Sequence, residues 1–500
     1  MSVENNLTDS AVGAEDRRRW LALAVIVTAQ FMVVLDIAIV NVALPSIQAD
    51  LQFSPENLQW VITGYSIFFG GFLLLGGRLA DLLGRRRLLM AGLLVFTVSS
   101  LLNGLAWSEG SLIAFRCLQG LGAAMFSPAA LSILTTTFQQ GRERNRALGI
   151  WGAVAGSGGA AGVLLGGVLT SSFSWPWIFY INVPVGAAVI AISPVLVRES
   201  RADLANRYFD LAGAATITSG VMLLVYAMTR ATQQGWGSSA TLGLLTVSTL
   251  LIGSFFVIES RSKAPLLPLR ILRLRTLRAS NISGLIAGGT VFSQFFLLTL
   301  YMQLVLHYSA LRTGVAYIGL TLTTIAFSAI SQGLVTRIGV RRVLPVGLAL
   351  SAVALVLFAQ LPVDGHYFSN LFPGFIISGL GLAFAFVPMA IGALTGVSAA
   401  DAGIASGLIN TNQQIGGAIG VAVATTIATT FTNNYVDSHA GVSPISGAAL
   451  THGFQIAFYV LAATAALGAL LAALMLESQP APAITELQVG DVAPKMESAG

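Results

Sequence analysis

Gly77-Arg78-Leu79-Ala80-Asp81-Leu82-Leu83-Gly84-Arg85-Arg86-Arg87 is a short, strongly basic stretch set between two long apolar runs. Its reading is a turn joining two membrane-spanning helices, and it fixes side and register. Arg and Lys concentrate in the loops that stay on the cytoplasmic side of a membrane. A weaker copy, Gln332-Gly333-Leu334-Val335-Thr336-Arg337-Ile338-Gly339-Val340-Arg341-Arg342, places Gly339 255 residues beyond Gly84. A second pair recurs at a similar offset: Gly120-Leu121-Gly122-Ala123-Ala124 with Pro128 is echoed by Gly379-Leu380-Gly381-Leu382-Ala383 with Pro388. The chain therefore contains a duplicated half.

The composition agrees with a membrane protein. Of 500 residues, 55% are hydrophobic and 9% charged, at a mean hydropathy of +0.80. A spanning helix needs about 20 mostly apolar residues, and fourteen such runs lie near 21–46, 58–80, 88–107, 110–137, 148–170, 178–197, 210–230, 240–259, 279–305, 311–335, 343–362, 370–395, 404–431 and 454–476. With the N-terminus inside, 23 of the 26 basic residues fall in cytoplasmic segments, leaving Arg116, Arg230 and Arg312. An N-in, C-in topology follows. Trp60, Trp107, Trp175, Trp177 and Trp236 fall at the predicted outer ends, where amphipathic rings anchor at the interface.

Other classes are excluded. The net charge of +5 would suggest nucleic acid in a soluble domain; here it is the inside-positive bias of a membrane protein. The single cysteine, Cys117, rules out an intrachain disulfide, and no Cys/His cluster has metal-ligand spacing. No phosphate-binding loop is present, and Lys263 and Lys495 are the only lysines from which one could be built, so ATP does not drive the chain directly. His307, His366, His439 and His452 lie at or near predicted external loops and read as surface residues. No cofactor, metal or catalytic constellation emerges. The first apolar run is too long for a cleavable signal peptide and is followed by further spans. Residues 1–19 and 477–500 read as unstructured cytoplasmic tails. Twenty-four arginines against two lysines give the impression of a GC-rich bacterial source.

Charges at depth are the informative residues, because ionised groups there are expensive and mark function. Asp36, within Leu35-Asp36-Ile37-Ala38-Ile39-Val40-Asn41-Val42-Ala43-Leu44-Pro45, is the one acid well inside a predicted span. It is the candidate proton site; the alternative is a packing carboxylate held by neighbouring helices. Arg116, with Gln119 one turn away on the same face, must face a wet cavity, backbone carbonyls or a carboxylate, unless it snorkels to the outer interface. Its permanent charge could tune a protonatable partner. Gly152, Gly156, Gly158, Gly162, Gly166 and Gly167 pave the fifth predicted span, and four-residue spacing lets another backbone approach closely. Packing alone would explain them; at a contact between repeated halves they would also mark where the halves rock.

These residues together resemble the major facilitator superfamily, specifically its fourteen-span drug:proton antiporter branch. The resemblance covers nearly the whole chain. Gly77 to Arg87 matches the family's cytoplasmic motif A, where Asp81 would pair with the ends of neighbouring helices and Arg85 and Arg86 would gate the inner side, with Gly77 and Gly84 as its glycines. Leu82 stands where a basic residue is common. Leu35 to Pro45 matches the span-one motif, with Asp36 as its acid and Ala38 in place of Thr. Arg116 to Gly122 matches motif B, whose arginine is implicated in proton relay. Gly158, Gly162, Gly166 and Gly167 resemble the antiporter motif of span five, with Val163 for the expected Pro. Trp175 to Gly186 and the polar run Gly407 to Gly417 resemble the branch as well, Pro176 replacing a frequent arginine.

The expected architecture is all-α and polytopic: an N-terminal six-helix bundle over 20–200, an inserted helix pair with flanking loops over 201–275, and a C-terminal six-helix bundle over 276–476. The resemblance implies proton-coupled efflux of small lipophilic compounds by a monomer in the bacterial cytoplasmic membrane, and a single acid at depth, Asp36, points to neutral or monocationic substrates. Asn41, Gln119, Gln294, Asn410 and Gln413 are the candidates for the substrate cavity, which should be apolar with few polar groups. A coupled importer or uniporter of a metabolite, or a non-transporting membrane sensor, would use the same scaffold differently.

Overall fold

The computed structural model describes residues 2–53, 55–58, 60–139, 141–201, 210–262, 265–398, 401–439, 441 and 443–476, with side chains from Asp16 onward except at 55, 56, 160, 232, 233 and 310. The tail 477–500 with Lys495, and Arg207 and Lys263 of the basic loops, lie outside the described residues.

Every apolar run becomes a helix long enough to cross a bilayer. The fourteen are α1 (Asp16–Leu51), α2 (Trp60–Leu83), α3 (Arg85–Gly104), α4 (Glu109–Thr137), α5 (Arg142–Ser172), α6 (Trp177–Leu196), α7 (Leu211–Ala231), α8 (Ser239–Arg261), α9 (Arg275–Val305), α10 (Leu311–Ile338), α11 (Val340–Phe358), α12 (Tyr367–Leu394), α13 (Ala402–Ser438) and α14 (Gly447–Met475). Only helices satisfy their own backbone in hydrocarbon, which is why apolarity alone dictates the element type. The helix of α1 runs back to Ser2, where the sequence suggested an unstructured tail.

α5 bends by 42° between Gly159 and Ala161. The resemblance places a proline at 163, and this chain has Val163; the bend occurs in the glycine-rich stretch before it, where side chains that would brace the turn are missing.

α1 packs on α4, α5 and α6, and α4 also packs on α2 and α3, forming one bundle. α9 packs on α12, α13 and α14, while α11 and α12 complete the second with α10. The seam between them is α2 on α13 and α5 on α10, flanked by α4 on α13 and α12 on α5. α7 touches both α2 and α13 and carries α8 on its far side.

The duplication reaches individual contacts. Gly120 abuts the carbonyl oxygen of Tyr65, and Gly379 that of Leu320, 255 residues beyond Tyr65. A Cβ at Gly122 would lie 2.6 Å from the Phe96 nitrogen, and one at Gly381 2.8 Å from that of Ser351. These glycines let helices approach to backbone contact, as small residues do in membrane interfaces. Both basic turns use a glycine at positive φ, Gly84 at 115° and Gly339 at 82°, a region costly for other residues.

Candidate functional site

Asp36 sits near the middle of α1 and is fully buried. Its Oδ2 accepts from Arg116 Nη1 at 2.6 Å, and its Oδ1 accepts from Gln119 Nε2 at 2.9 Å and Asn182 Nδ2 at 3.2 Å. Arg116, 1% exposed, also donates from Nε to the Val61 carbonyl at 2.9 Å and from Nη1 to Gln119 Oε1 at 2.6 Å. The Tyr65 ring lies 4.4 Å under the guanidinium. Gln119 reaches the Ser100 hydroxyl at 2.8 Å and accepts from Asn103 at 2.8 Å. Four helices of one bundle and the Tyr65 ring of α2 thus enclose one carboxylate. Arg116 does not snorkel: of the alternatives open in the sequence, it takes a carboxylate and a backbone carbonyl together.

Taking two ions out of water costs several kcal/mol each, which only close pairing and saturated hydrogen bonding can offset. The cluster supplies both. Asn182, Ser100, Asn103 and Tyr65 carried no separate signal in the sequence, because uncharged polar groups in spans commonly bond back to their own helix. Asn41 does this, donating to the Ile37 carbonyl at 3.0 Å.

The other candidates lie in the second bundle. Gln294 of α9 bonds the Ser378 hydroxyl of α12 at 2.8 Å. Asn410 is buried with its amide nitrogen unpartnered, and Gln413, half-buried, has its backbone against Gly288 of α9.

At the basic turn, Asp81 Oδ1 accepts from Arg85 Nε at 3.1 Å and Nη2 at 2.7 Å, both side chains buried. Asp81 Oδ2 faces Gly403 in the first turn of α13, where a Cβ would lie 2.6 Å from it. An anion there meets the positive end of a helix dipole. Gly77 abuts the Gly403 carbonyl, so this turn closes one end of the seam. Arg86 turns instead within its own bundle, to the Val197 carbonyl at 3.3 Å, while Glu199 accepts from the Arg86 and Arg87 amides at 3.1 and 3.2 Å. The repeat closes the seam without an acid: Asn145 of α5 donates to Thr336 of α10 at 3.2 Å.

The glycines of α5 divide between two faces. Cβ atoms at Gly158, Gly162 and Gly166 would meet Val34 at 2.7 Å, the Leu35 carbonyl at 2.7 Å and the Ile39 carbonyl at 2.9 Å. This row, with buried Gly167 beside it, seats the turn of α1 that carries Asp36. Gly152 and Gly156 face Val387 and Thr324 across the seam. Two residues from Gly156 to Gly158 rotate a helix by about 200°, so of these glycines Gly152 and Gly156 lie at the contact between halves and the row from Gly158 does not. Trp175 is likewise no simple anchor: it is buried and donates to Asp50 at 2.7 Å, tying α6 to α1.

No group of three potential metal ligands occurs among the described residues. Comparison with known proteins gives a match to the family model described as Major Facilitator Superfamily over residues 26–421. The chain is 38% identical over 474 residues to the puromycin resistance protein of Streptomyces alboniger, covering 94% of each. It is 40% identical over 400 residues to the cephamycin export protein of Amycolatopsis lactamdurans, covering 79% of this chain and 82% of that one. The crystal structure of the human organic anion transporter MFSD10 (TETRAN) superposes with a TM-score of 0.61 at 16% identity, over 91% of this chain and 99% of that one, a likeness of fold.

Proposed function

Because the chain belongs to the major facilitator superfamily, we propose that it exports small lipophilic compounds, drugs, antibiotics and dyes among them, from the bacterial cytoplasm in exchange for protons. The bundles over 20–200 and 276–476 move against each other, with 201–275 as an inserted pair, and the basic turns face the cytoplasm. The names of relatives, which speak of antibiotic resistance and export, support the substrate class. One observation carries the coupling: Asp36 and Arg116, both at most 1% exposed, are joined at 2.6 Å in the middle of the first bundle.

A proton and Arg116 compete for the same carboxylate. Protonation removes the Coulomb attraction, leaves the guanidinium short of a partner, and makes the present packing of α1 on α4 expensive. The helices then favour an arrangement in which Arg116 finds water or other acceptors, and the glycine row of α5 gives α1 a smooth surface to shift along. A carboxylate reached alternately from either side carries one proton per cycle. Asp81–Arg85 at the basic turn holds the seam closed on the cytoplasmic side in this arrangement.

The test is transport of a lipophilic dye in everted vesicles with an imposed proton gradient. Wild type accumulates dye; Asp36→Asn loses gradient-driven accumulation while downhill exchange persists in part. Asp36→Asn vesicles that still concentrate dye would overturn the coupling.

A further inference from the structure

Back to back with the Asp36–Arg116 cluster lies a concavity separate from that cluster. It is an open groove of about 270 Å³ between α2, α4 and α7, lined by Trp60, Gly64, Phe68, Cys117, Met222 and Tyr226 among others, and its walls are wholly apolar. Cys117 follows Arg116 in α4, and Gly64 precedes Tyr65 in α2, so the same two helices present the charged cluster on one side and the groove on the other.

Depth and charge identify its occupant. Trp60 begins α2 and the basic turn ends it, so the groove occupies the half of the membrane away from that turn. The Trp60 and Tyr226 rings meet tilted at 5.5 Å, and the Arg230 guanidinium stands 5.6 Å from the Tyr226 ring, one turn further out on the same helix. Arg230 Nε is buried without a hydrogen-bond partner. An apolar trough roofed by two aromatic rings, with a guanidinium just beyond the outer ring, has the polarity of a phospholipid: chain below, phosphate above. At the roughly 30 Å³ a water molecule occupies in the liquid, the volume accommodates a run of about nine methylene-sized groups. No polar group lines the trough to orient a drug, as pockets for compact ligands require, and the arginine disfavours a cationic substrate.

We propose that this groove binds one acyl chain of an anionic phospholipid of the outer leaflet, whose phosphate is received by Arg230. Arginine forks suit phosphate oxygens, and such charge-assisted bonds favour an anionic headgroup over a neutral one. The inserted helix α7, which supplies Met222, Tyr226 and Arg230, thereby becomes a lipid-holding element on the flank of the proton site.

Cys117 is the only cysteine in the chain, so thiol labelling reports on the groove without background. The full-length protein is placed in nanodiscs of phosphatidylcholine alone or with phosphatidylglycerol, and the rate of Cys117 modification by uncharged N-ethylmaleimide is measured. Phosphatidylglycerol slows labelling by roughly fivefold, the scale of one basic contact with an anionic lipid. Arg230→Gln makes the two membranes equivalent. Leu223 also lines the groove, and Leu223→Trp, which fills it, slows labelling in both. Equal wild-type rates in the two membranes overturn the proposal. So does protection of Cys117 by a transported dye with none by phosphatidylglycerol, which would make the groove a substrate site.

Discussion

The two halves share a backbone and differ in charge. In the first, Asp36, Arg116 and Gln119 knit α1 to α4 at 2.6 and 2.9 Å; at the equivalent place in the second, Gln294 and Ser378 join α9 to α12 through one neutral bond at 2.8 Å. Around them the packing repeats, Gly120 on Tyr65 and Gly379 on Leu320. The seam shows the same asymmetry, with Asp81–Arg85 in one half and Asn145–Thr336 closing its counterpart. Duplication has supplied two similar frames, and among the described residues only the first holds a carboxylate paired with a cation at mid-depth. A neutral half whose polarity is fixed through the cycle suits substrate contact, and the buried, unpartnered Asn410 amide lies there. The charged half suits the proton.

The largest effect should come from breaking the ion pair from one side. Arg116→Met leaves Asp36 buried without its cation, at a cost of about 3–5 kcal/mol. Gln294→Met in the neutral half strands only a hydroxyl, at about 1 kcal/mol. Thermal unfolding in detergent should separate the two clearly, and Asp36→Asn combined with Arg116→Met should recover most of the lost stability without restoring gradient-driven transport. Equal losses for Arg116→Met and Gln294→Met would mean the halves are energetically alike.

Substrate charge tests the comparison next. If one proton enters per molecule exported, a potential of about 100 mV contributes about 2.3 kcal/mol for a neutral substrate, and each pH unit adds about 1.4 kcal/mol. One pH unit and that potential together sustain a gradient of several hundredfold, from tenfold per 1.4 kcal/mol. For a monocation the exchange is electrically silent, leaving about tenfold from the pH term. Neutral and monocationic dyes compared in the same vesicles should differ accordingly, and collapsing the potential should erase the difference. Strong export of dications would require a second mid-depth acid, which the Gln294–Ser378 half does not provide.

At the seam, Asp81→Asn gives up charge-assisted bonds to Arg85 and the attraction for the first turn of α13, about 2 kcal/mol in all. The protein should insert normally and transport slowly, as accessibility of a cysteine placed at the seam would show. Thr336→Val, which removes a neutral hydroxyl that accepts from Asn145 and Gln332, should do less. Normal efflux by well-expressed Asp81→Asn would remove the gating role and, with it, the seam's asymmetry.

Fourteen spans were legible because hydrocarbon leaves the backbone no alternative to helix, and Asp36 and Arg116 stood out because charge at depth is costly. That they pair was not legible: 80 residues separate them, and sequence spacing speaks only to neighbours on one helix. Asn182 and Ser100 were hidden for a different reason, since a lone amide or hydroxyl in a span bonds to its own helix as readily as to a neighbour. The glycines of α5 announced close packing but not against what; two residues of helical rotation decide between α1 and the opposite bundle. The bend of α5 shows the limit of motif reading, because a missing proline did not remove a bend that glycines permit.

The smallest predicted effect compares two serines that do the same job. Ser100 and Ser378 each accept from a glutamine amide at 2.8 Å, Ser100 from Gln119 and Ser378 from Gln294. Alanine at either site leaves one buried amide hydrogen poorly satisfied, so each should cost about 1 kcal/mol, and by stability alone the two are indistinguishable. Their consequences for transport differ. The Gln119 amide also donates to Asp36, so loosening it through Ser100→Ala alters the hydrogen bonding of the proposed proton site and should displace the pH midpoint of dye efflux. Gln294 touches no titratable group through its amide bonds, so Ser378→Ala should change the apparent affinity for dye while leaving the pH midpoint in place. A pH profile moved equally by both substitutions would mean that the second half also takes part in proton exchange, and that the division of labour between the halves is wrong.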